Sequence, residues 1–197
     1  MAHFTTHLIE YFSDVRRAEA VEALIDYRSK TGFHFDQMIR DSNPFVITPK
    51  DIVAVSMLSV DVPASVSIWL LEGGEGAETI SELLDSINPP DAKIWDDEVD
   101  LKKGSPAWDL WNVVDGRRGM GATKTSKLLA AKRPHLLPVI DDIVRDALFA
   151  EQRRVDVVRD YWDLWRDELC GRDGAELRSA VEAVRAEAGY DTMRPRS

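Results

Sequence analysis

Apolar residues recur every three or four positions along most of the chain, and nowhere do they alternate in the two-residue period of a half-buried strand. The clearest helical stretches lie at residues 6–31, 137–150, 155–169 and 175–188. Turn-forming residues interrupt the pattern, most strongly DSNP at 41–44 and NPPD at 88–91. The sequence therefore predicts an all-α fold.

The length of 197 residues is sufficient for one hydrophobic core. We predict a single globular, all-helical domain over residues 1–197, with a possible subdomain boundary at residues 88–100. The tryptophans at 108, 111, 162 and 165 form two pairs with a spacing of three residues, so each pair lies on one helix face. Core packing is the expected role of these rings, and base stacking is the alternative.

Several residues mark helix boundaries. Thr48, Pro49 and Asp51 combine an N-cap, a first-turn proline and a carboxylate at the capping-box position. Ser105, followed by a proline, marks a second helix start. Gly32 is expected to end the first helical region, because glycine interrupts a helix more readily than most residues.

The few cysteine and histidine residues limit which disulfides and metal sites the chain can form. Cys170 is the single cysteine, so it has no partner for an internal disulfide, and the four histidines are too scattered for a metal site. We assign no metal and no cofactor. No apolar run approaches the length of a membrane span, and the first residues lack the pattern of an export signal. We therefore expect a cytoplasmic protein with no membrane partner.

A glycine turn precedes a basic helix in the middle of the chain. Gly119 and Gly121 suit the positive φ angles of a tight turn, and the predicted helix from Ala122 to Ala131 opens with unpaired backbone N–H groups. Such a helix start attracts anions. Basic residues surround it, namely Arg117, Arg118, Lys124, Lys127, Lys132 and Arg133. The segment is therefore interpreted as a phosphate-binding element.

The distribution of charge agrees with this interpretation. The whole chain has a formal net charge of −10, whereas residues 102–133 contain eight basic and two acidic residues and so carry +6. The remainder of the chain carries −16. An acidic protein with one basic segment is suited to touching a polyanion at one place only.

The stretch GMGATKTSKLL, followed by PVIDDIVR, resembles the helix-hairpin-helix motif of the base-excision DNA glycosylases. With Gly119 and Gly121 set on the hairpin glycines, Thr123 occupies the position of the nucleophilic lysine in bifunctional members, and Asp141 occupies that of the catalytic aspartate. The resemblance implies a helix-hairpin-helix-like segment at residues 105–150. Because that lysine is replaced, it implies a monofunctional glycosylase at most.

The same stretch resembles an uncharacterised bacterial family with the signature TKTSKLLAxKRPxLxPVxD. That family has no assigned activity. This second resemblance therefore implies no function.

We hypothesise a nucleic-acid-binding protein whose glycine turn contacts the phosphate backbone, with DNA as the expected partner and RNA as the alternative. The contacting residues would be Arg117, Arg118, Gly119, Gly121, Ala122, Thr123, Lys124 and Lys127. In the glycosylase version, Asp141 would stabilise positive charge at the sugar C1′ and assist the attacking water once the base is flipped out. A structural role is the alternative, because aspartate often caps a helix at such a position.

Two other classes of function remain open at this stage. The acidic surface suits a non-catalytic protein-interaction module that keeps only the fold. An enzyme acting on a small phosphate compound is the third possibility, although no acidic metal-binding cluster accompanies the glycine turn. In the interaction module the hairpin would be a structural corner, and the KRP loop at residues 132–134 would contact the protein partner. The other two classes differ in whether the protein binds nucleic acid or a nucleotide.

Overall fold

The computed structural model describes residues 4–12, 16–149 and 158–190. Within these ranges there are eleven α-helices and no strand, which confirms the all-α prediction. In chain order they are α1 (Phe4–Phe12), α2 (Arg17–Tyr27), α3 (Thr31–Ile39), α4 (Pro49–Ser56), α5 (Ala64–Leu71), α6 (Glu75–Ser86), α7 (Pro106–Asp115), α8 (Ala122–Ala130), α9 (Asp142–Phe149), α10 (Val158–Cys170) and α11 (Gly174–Glu187). Residues 13–15, 150 and 155–157, which were also predicted to be helical, lie outside the described residues.

Both predicted helix starts are confirmed. Helix α4 has the capping box, with the backbone N–H of Thr48 donating to Asp51 Oδ2 at 2.7 Å. At α7, the backbone N–H of Trp108 donates to the Ser105 hydroxyl at 3.2 Å. These bonds satisfy N–H groups that would otherwise lack partners at the start of each helix.

The expectation for Gly32 is wrong. The first helical region ends at Tyr27, and Gly32 is the second residue of α3. The reason lies in packing, because the Tyr27 side chain lies against the glycine. A Cβ at position 32 would be 2.8 Å from the Tyr27 hydroxyl oxygen. Glycine is therefore used here for a close approach and not as a helix stop.

One hydrophobic core contains buried side chains from α3 to α8, α10 and α11, within a single compact domain. Trp162 of α10 is fully buried at its centre. Its ring makes edge-to-face contacts with Trp111 and Trp108 of α7, at centroid distances of 5.6 and 6.5 Å. Such geometry is favourable for aromatic pairs. The prediction that these tryptophans pack in the core is confirmed, since Trp111 is buried and Trp108 packs against the core.

Residues 88–100, the possible subdomain boundary, pack against the loop that follows α8. The backbone N–H of Ile94 donates to the carbonyl of His135 at 2.9 Å, and the Ile94 side chain is buried. Arg166 of α10 donates to the Ile94 carbonyl at 2.8 Å. This segment thus connects the end of α8 with α10.

Candidate nucleic-acid interface at the glycine turn

The turn between α7 and α8 contains two glycines in the left-handed region. Gly119 has φ +88° and Gly121 has φ +105°, as the sequence predicted. L-residues rarely adopt such angles, so glycine is required by the backbone path. A Cβ at Gly119 would also lie 3.1 Å from Pro63 Cγ. The turn therefore packs closely against the loop before α5.

Two side-chain bonds hold the turn to the start of α8. The Lys124 ammonium donates to the Gly119 carbonyl at 2.9 Å. The Thr125 hydroxyl donates to Asp115 Oδ1, at the end of α7, at 3.3 Å. Gly121 and Ala122 are themselves exposed. The N-terminus of α8 is thus accessible while its position relative to α7 is fixed.

Arg117 and Arg118 are the exposed cations of the turn. The Arg117 guanidinium lies 3.7 Å from the ring centroid of Trp69, in cation–π contact. Trp69 packs against Gly76, where a Cβ would be only 2.2 Å from its indole nitrogen. The orientation of Arg117 is therefore supported by a ring that the sequence analysis did not connect with the turn.

Unlike Arg117 and Arg118, Lys127 is not exposed. Its side chain is buried, and its ammonium donates to the Leu58 carbonyl at 2.9 Å. The same nitrogen lies 3.6 Å from Asp141 Oδ2. The predicted phosphate contact by Lys127 is thus not supported by its position, because the ammonium is engaged inside the protein.

Lys132 is also internal, although the sequence grouped it with the cations around the helix start. It is 3% exposed and forms an ion pair with Asp51, which is 1% exposed. The ammonium also donates to Ser42 Oγ at 2.6 Å and to the Asn43 carbonyl at 3.0 Å. Burial lowers the pKa of Lys132 from its ordinary value, and the Asp51 carboxylate opposes that shift.

Arg133 is bound to backbone carbonyls in the interior. It is 1% exposed and donates to the carbonyls of Pro44, Lys132, Leu84 and Ile87. Burial lowers the pKa of its guanidinium from the ordinary value. Both residues of the Lys132–Arg133 pair thus hold the segment before α4 in place.

Asp141 caps α9. Its Oδ1 accepts from the backbone N–H of Ile143 at 3.0 Å, and its carbonyl accepts from the backbone N–H of Arg145 at 2.8 Å. The capping role considered from the sequence is therefore confirmed. The other carboxylate oxygen faces Lys127, and the side chain remains 34% exposed. Capping thus occupies only one of the two carboxylate oxygens.

The structure brings Asp141 close to the glycine-turn helix. The Ser126 hydroxyl of α8 accepts from the Ile140 backbone N–H at 2.9 Å and donates to the Thr123 carbonyl at 3.0 Å. From α10, the Tyr161 hydroxyl donates to the Val139 carbonyl at 3.1 Å. These bonds fix the segment before Asp141 on both sides.

The position of Tyr161 near Asp141 affects the pKa of its phenol. Burial raises the pKa of its phenol, and the charge of Asp141 adds to the increase. Neither Tyr161 nor Ser126 was identified as a site residue from the sequence. The sequence around Tyr161 does not connect this residue with the glycine turn, because α9 lies between α8 and α10 along the chain.

A model of a family of unknown function, DUF6308, matches residues 4–194. The chain belongs to the DUF6308 family. The comparisons with curated proteins and with solved structures gave no match. The glycine turn and Asp141 lie within the DUF6308 match.

In this DUF6308 member, the described residues contain no group of three or more histidine, cysteine, aspartate or glutamate side chains that could hold a metal ion. The helices of the same described ranges also include none that is long and apolar enough to cross a bilayer.

Proposed function

We propose that this chain binds the phosphate backbone of duplex DNA through the turn between α7 and α8. The observation that carries the proposal is the exposed glycine turn at the start of α8, with Arg117 and Arg118 exposed beside it. A helix N-terminus presents N–H groups and a positive partial charge, and phosphate is the anion that suits both.

The cations of the turn add charge to these backbone donors. Lys124 uses one of its three donors on the Gly119 carbonyl, which leaves two for a phosphate. Arg117 is held on the face of Trp69, so less freedom is lost when it binds. Contacts of this kind position a protein on DNA without reading bases, so we expect little sequence preference.

The charge-reversal variant Arg117→Glu/Arg118→Glu is expected to weaken binding to a labelled duplex by at least about tenfold at low salt, because two cations become anions. The matched control is Lys102→Glu/Lys103→Glu. These lysines are exposed at the opposite end of α7, so the same change in net charge is made away from the turn. Fluorescence anisotropy with both variants measures the difference.

Equal weakening by the two variants would contradict a contact at the turn and would indicate only a general effect of charge. Absence of binding by the wild-type protein at low salt would contradict the DNA proposal altogether. That outcome would favour the protein-interaction module, which the acidic remainder of the surface also suits.

We further propose that Asp141 has a catalytic role in releasing a base from the bound DNA. In base hydrolysis the bond from C1′ to the base nitrogen breaks, the base leaves with the bonding electrons, and water adds to C1′. A carboxylate near C1′ would stabilise the positive charge and accept a proton from the water. The partial exposure of the Asp141 carboxylate supports this role.

The variant Asp141→Asn is expected to abolish base release while leaving duplex affinity unchanged. Asparagine caps helices as well as aspartate does, so the fold should be retained. Single-turnover release from duplexes containing damaged bases measures the effect, with Asp142→Asn as the control on the neighbouring exposed position. Undiminished release by Asp141→Asn would exclude the catalytic role without affecting the binding proposal.

A further inference from the structure

A cavity of about 420 Å³ lies between α1, α2 and α11, on elements that do not form the glycine turn. Its walls include the aliphatic side chains of Leu24, Val181 and Val184. Cavities that hold small molecules are typically about 300–1,000 Å³ and are lined mainly by apolar and aromatic side chains. The volume and these walls therefore suit a small molecule.

Aromatic rings form another part of the walls, from Tyr11, Phe12, Tyr27 and Tyr190. Tyr27 and Tyr190 are held by the same neighbour outside the cavity, because both rings make edge-to-face contacts with Phe33, at centroid distances of 6.2 and 6.0 Å. Such contacts are favourable for aromatic pairs. This part of the wall is thus fixed by packing before any ligand binds.

The hydroxyl groups of these two tyrosines are engaged with one carboxylate, that of Asp36. Tyr190 donates to Asp36 Oδ2 at 2.6 Å, and Tyr27 is also hydrogen-bonded to Asp36. Burial, together with the Asp36 carboxylate, raises the pKa of Tyr27 to about 12 and also raises the pKa of Tyr190. Both phenols therefore stay neutral near pH 7, and their protons are directed to a residue that does not line the cavity.

Arg185, the charged residue among the described residues that line the cavity, is also engaged within the protein. Its guanidinium lies 5.2 Å from the ring centroid of Tyr190, and its Nε lies 4.0 Å from Glu182 Oε2. A charged group on a ligand would therefore leave water for an apolar space in which the polar side chains already have partners. Because burying a charge without a partner is costly, the lining favours an uncharged ligand.

We propose that the cavity binds a small uncharged molecule built on one or two flat rings. The driving force is the removal of apolar surface from water, both on the ligand and on Leu24, Val181 and Val184. The rings of Tyr27 and Tyr190 add edge-to-face or offset contacts with a ligand ring. Apolar cavities engineered into other proteins bind benzene in the same way, without any hydrogen bond to the ligand.

The test uses naphthalene as the probe. Headspace gas chromatography measures the free naphthalene above a solution of the full chain, and we expect saturable depletion by the wild-type protein. Two competitors of similar size then test the role of charge, since methylnaphthalene is neutral and naphthoate carries a carboxylate in place of the methyl group. Naphthoate should displace naphthalene at least about tenfold more weakly than methylnaphthalene does.

Variants place the binding in this cavity. Leu24→Trp fills it from a half-buried position and should weaken naphthalene binding by about tenfold or more. Ile25→Trp is the matched control, because Ile25 is the next residue, is 48% exposed and does not line the cavity. Ala23→Met narrows the cavity from an exposed position, so it retains the test if Leu24→Trp does not fold, and it should weaken binding by about threefold or more.

The proposal is overturned if the wild-type protein does not bind naphthalene or if naphthoate competes as well as methylnaphthalene. It is also overturned if Leu24→Trp and Ala23→Met both bind as the wild type does, or if Ile25→Trp weakens binding as much as Leu24→Trp. Far-ultraviolet circular dichroism confirms that each variant is helical. None of these outcomes bears on DNA binding at the glycine turn.

Discussion

Lys132→Met is expected to lower the free energy of unfolding by about 3–5 kcal/mol, because it leaves the Asp51 carboxylate buried without a counter-charge. Methionine fills a similar volume, so the loss reports charge and hydrogen bonding more than packing. Ser42 also loses the ammonium that donates to its hydroxyl. Urea denaturation followed by circular dichroism measures the change.

Lys50→Met is the matched control for this variant. Lys50 is exposed and lies next to Asp51 in the sequence, so the same substitution there should change stability by less than about 0.5 kcal/mol. In an Asp51→Asn background, Lys132→Met should cost less than in the wild type, since the buried charge has been removed. A small effect of Lys132→Met in the wild type would contradict the internal role assigned to this lysine.

Arg133→Met is the second substitution with a large expected effect. We expect it to lower the free energy of unfolding by about 3 kcal/mol or more. The guanidinium donates to the carbonyls of Pro44 and Leu84, which belong to segments far apart in the sequence. A buried carbonyl that loses its donor costs about 1–3 kcal/mol, and this applies to Pro44 in full. The Leu84 carbonyl still accepts from the backbone N–H of Ile87 at 3.3 Å and so loses less. We therefore expect the urea unfolding midpoint of Arg133→Met to be markedly lower than that of the wild-type protein.

The control for Arg133→Met is Arg172→Met. Arg172 is exposed, so its replacement should leave the urea midpoint nearly unchanged. Hydrogen exchange adds a local measurement, because loss of Arg133 should increase amide exchange in α6, where Leu84 lies. Equal stability of the two variants would show that Arg133 does not fix this segment.

Helix starts were predictable because they depend on local chemistry. The capping box of Thr48 and Asp51, and the Ser105 cap, involve residues three positions apart, so the sequence contains the whole interaction. The same holds for Gly119 and Gly121, whose positive φ angles follow from the turn itself. Periodicity likewise sufficed for the all-α class.

The burial of the basic residues was not predictable in this way. Lys132 and Arg133 find their partners in Asp51, Pro44 and Leu84, which are distant in the sequence and are brought together only by packing. A run of lysine and arginine does not by itself reveal whether the side chains meet solvent or an interior acceptor. The same limit applies to Gly32, whose role depends on the approach of the Tyr27 ring.

The candidate site was partly predictable. The resemblance to the helix-hairpin-helix motif singled out Asp141, and its position at a helix start suggested the capping role. The structure adds its approach to Lys127 at 3.6 Å. Trp69 could not have been found from sequence, because its contact with Arg117 needs the packing of α5 and α6 around Gly76. Long-range contacts of this kind leave no periodic signal in the chain.

The most direct test of DNA binding at the glycine turn is the salt dependence of duplex affinity for wild-type protein and for Arg117→Glu/Arg118→Glu. Each phosphate neutralised contributes about −0.9 to the slope of log K against log salt concentration. We predict a slope that is shallower by about 1–2 in the variant, while Lys102→Glu/Lys103→Glu keeps the wild-type slope. Identical slopes for all three proteins would contradict phosphate binding at the turn.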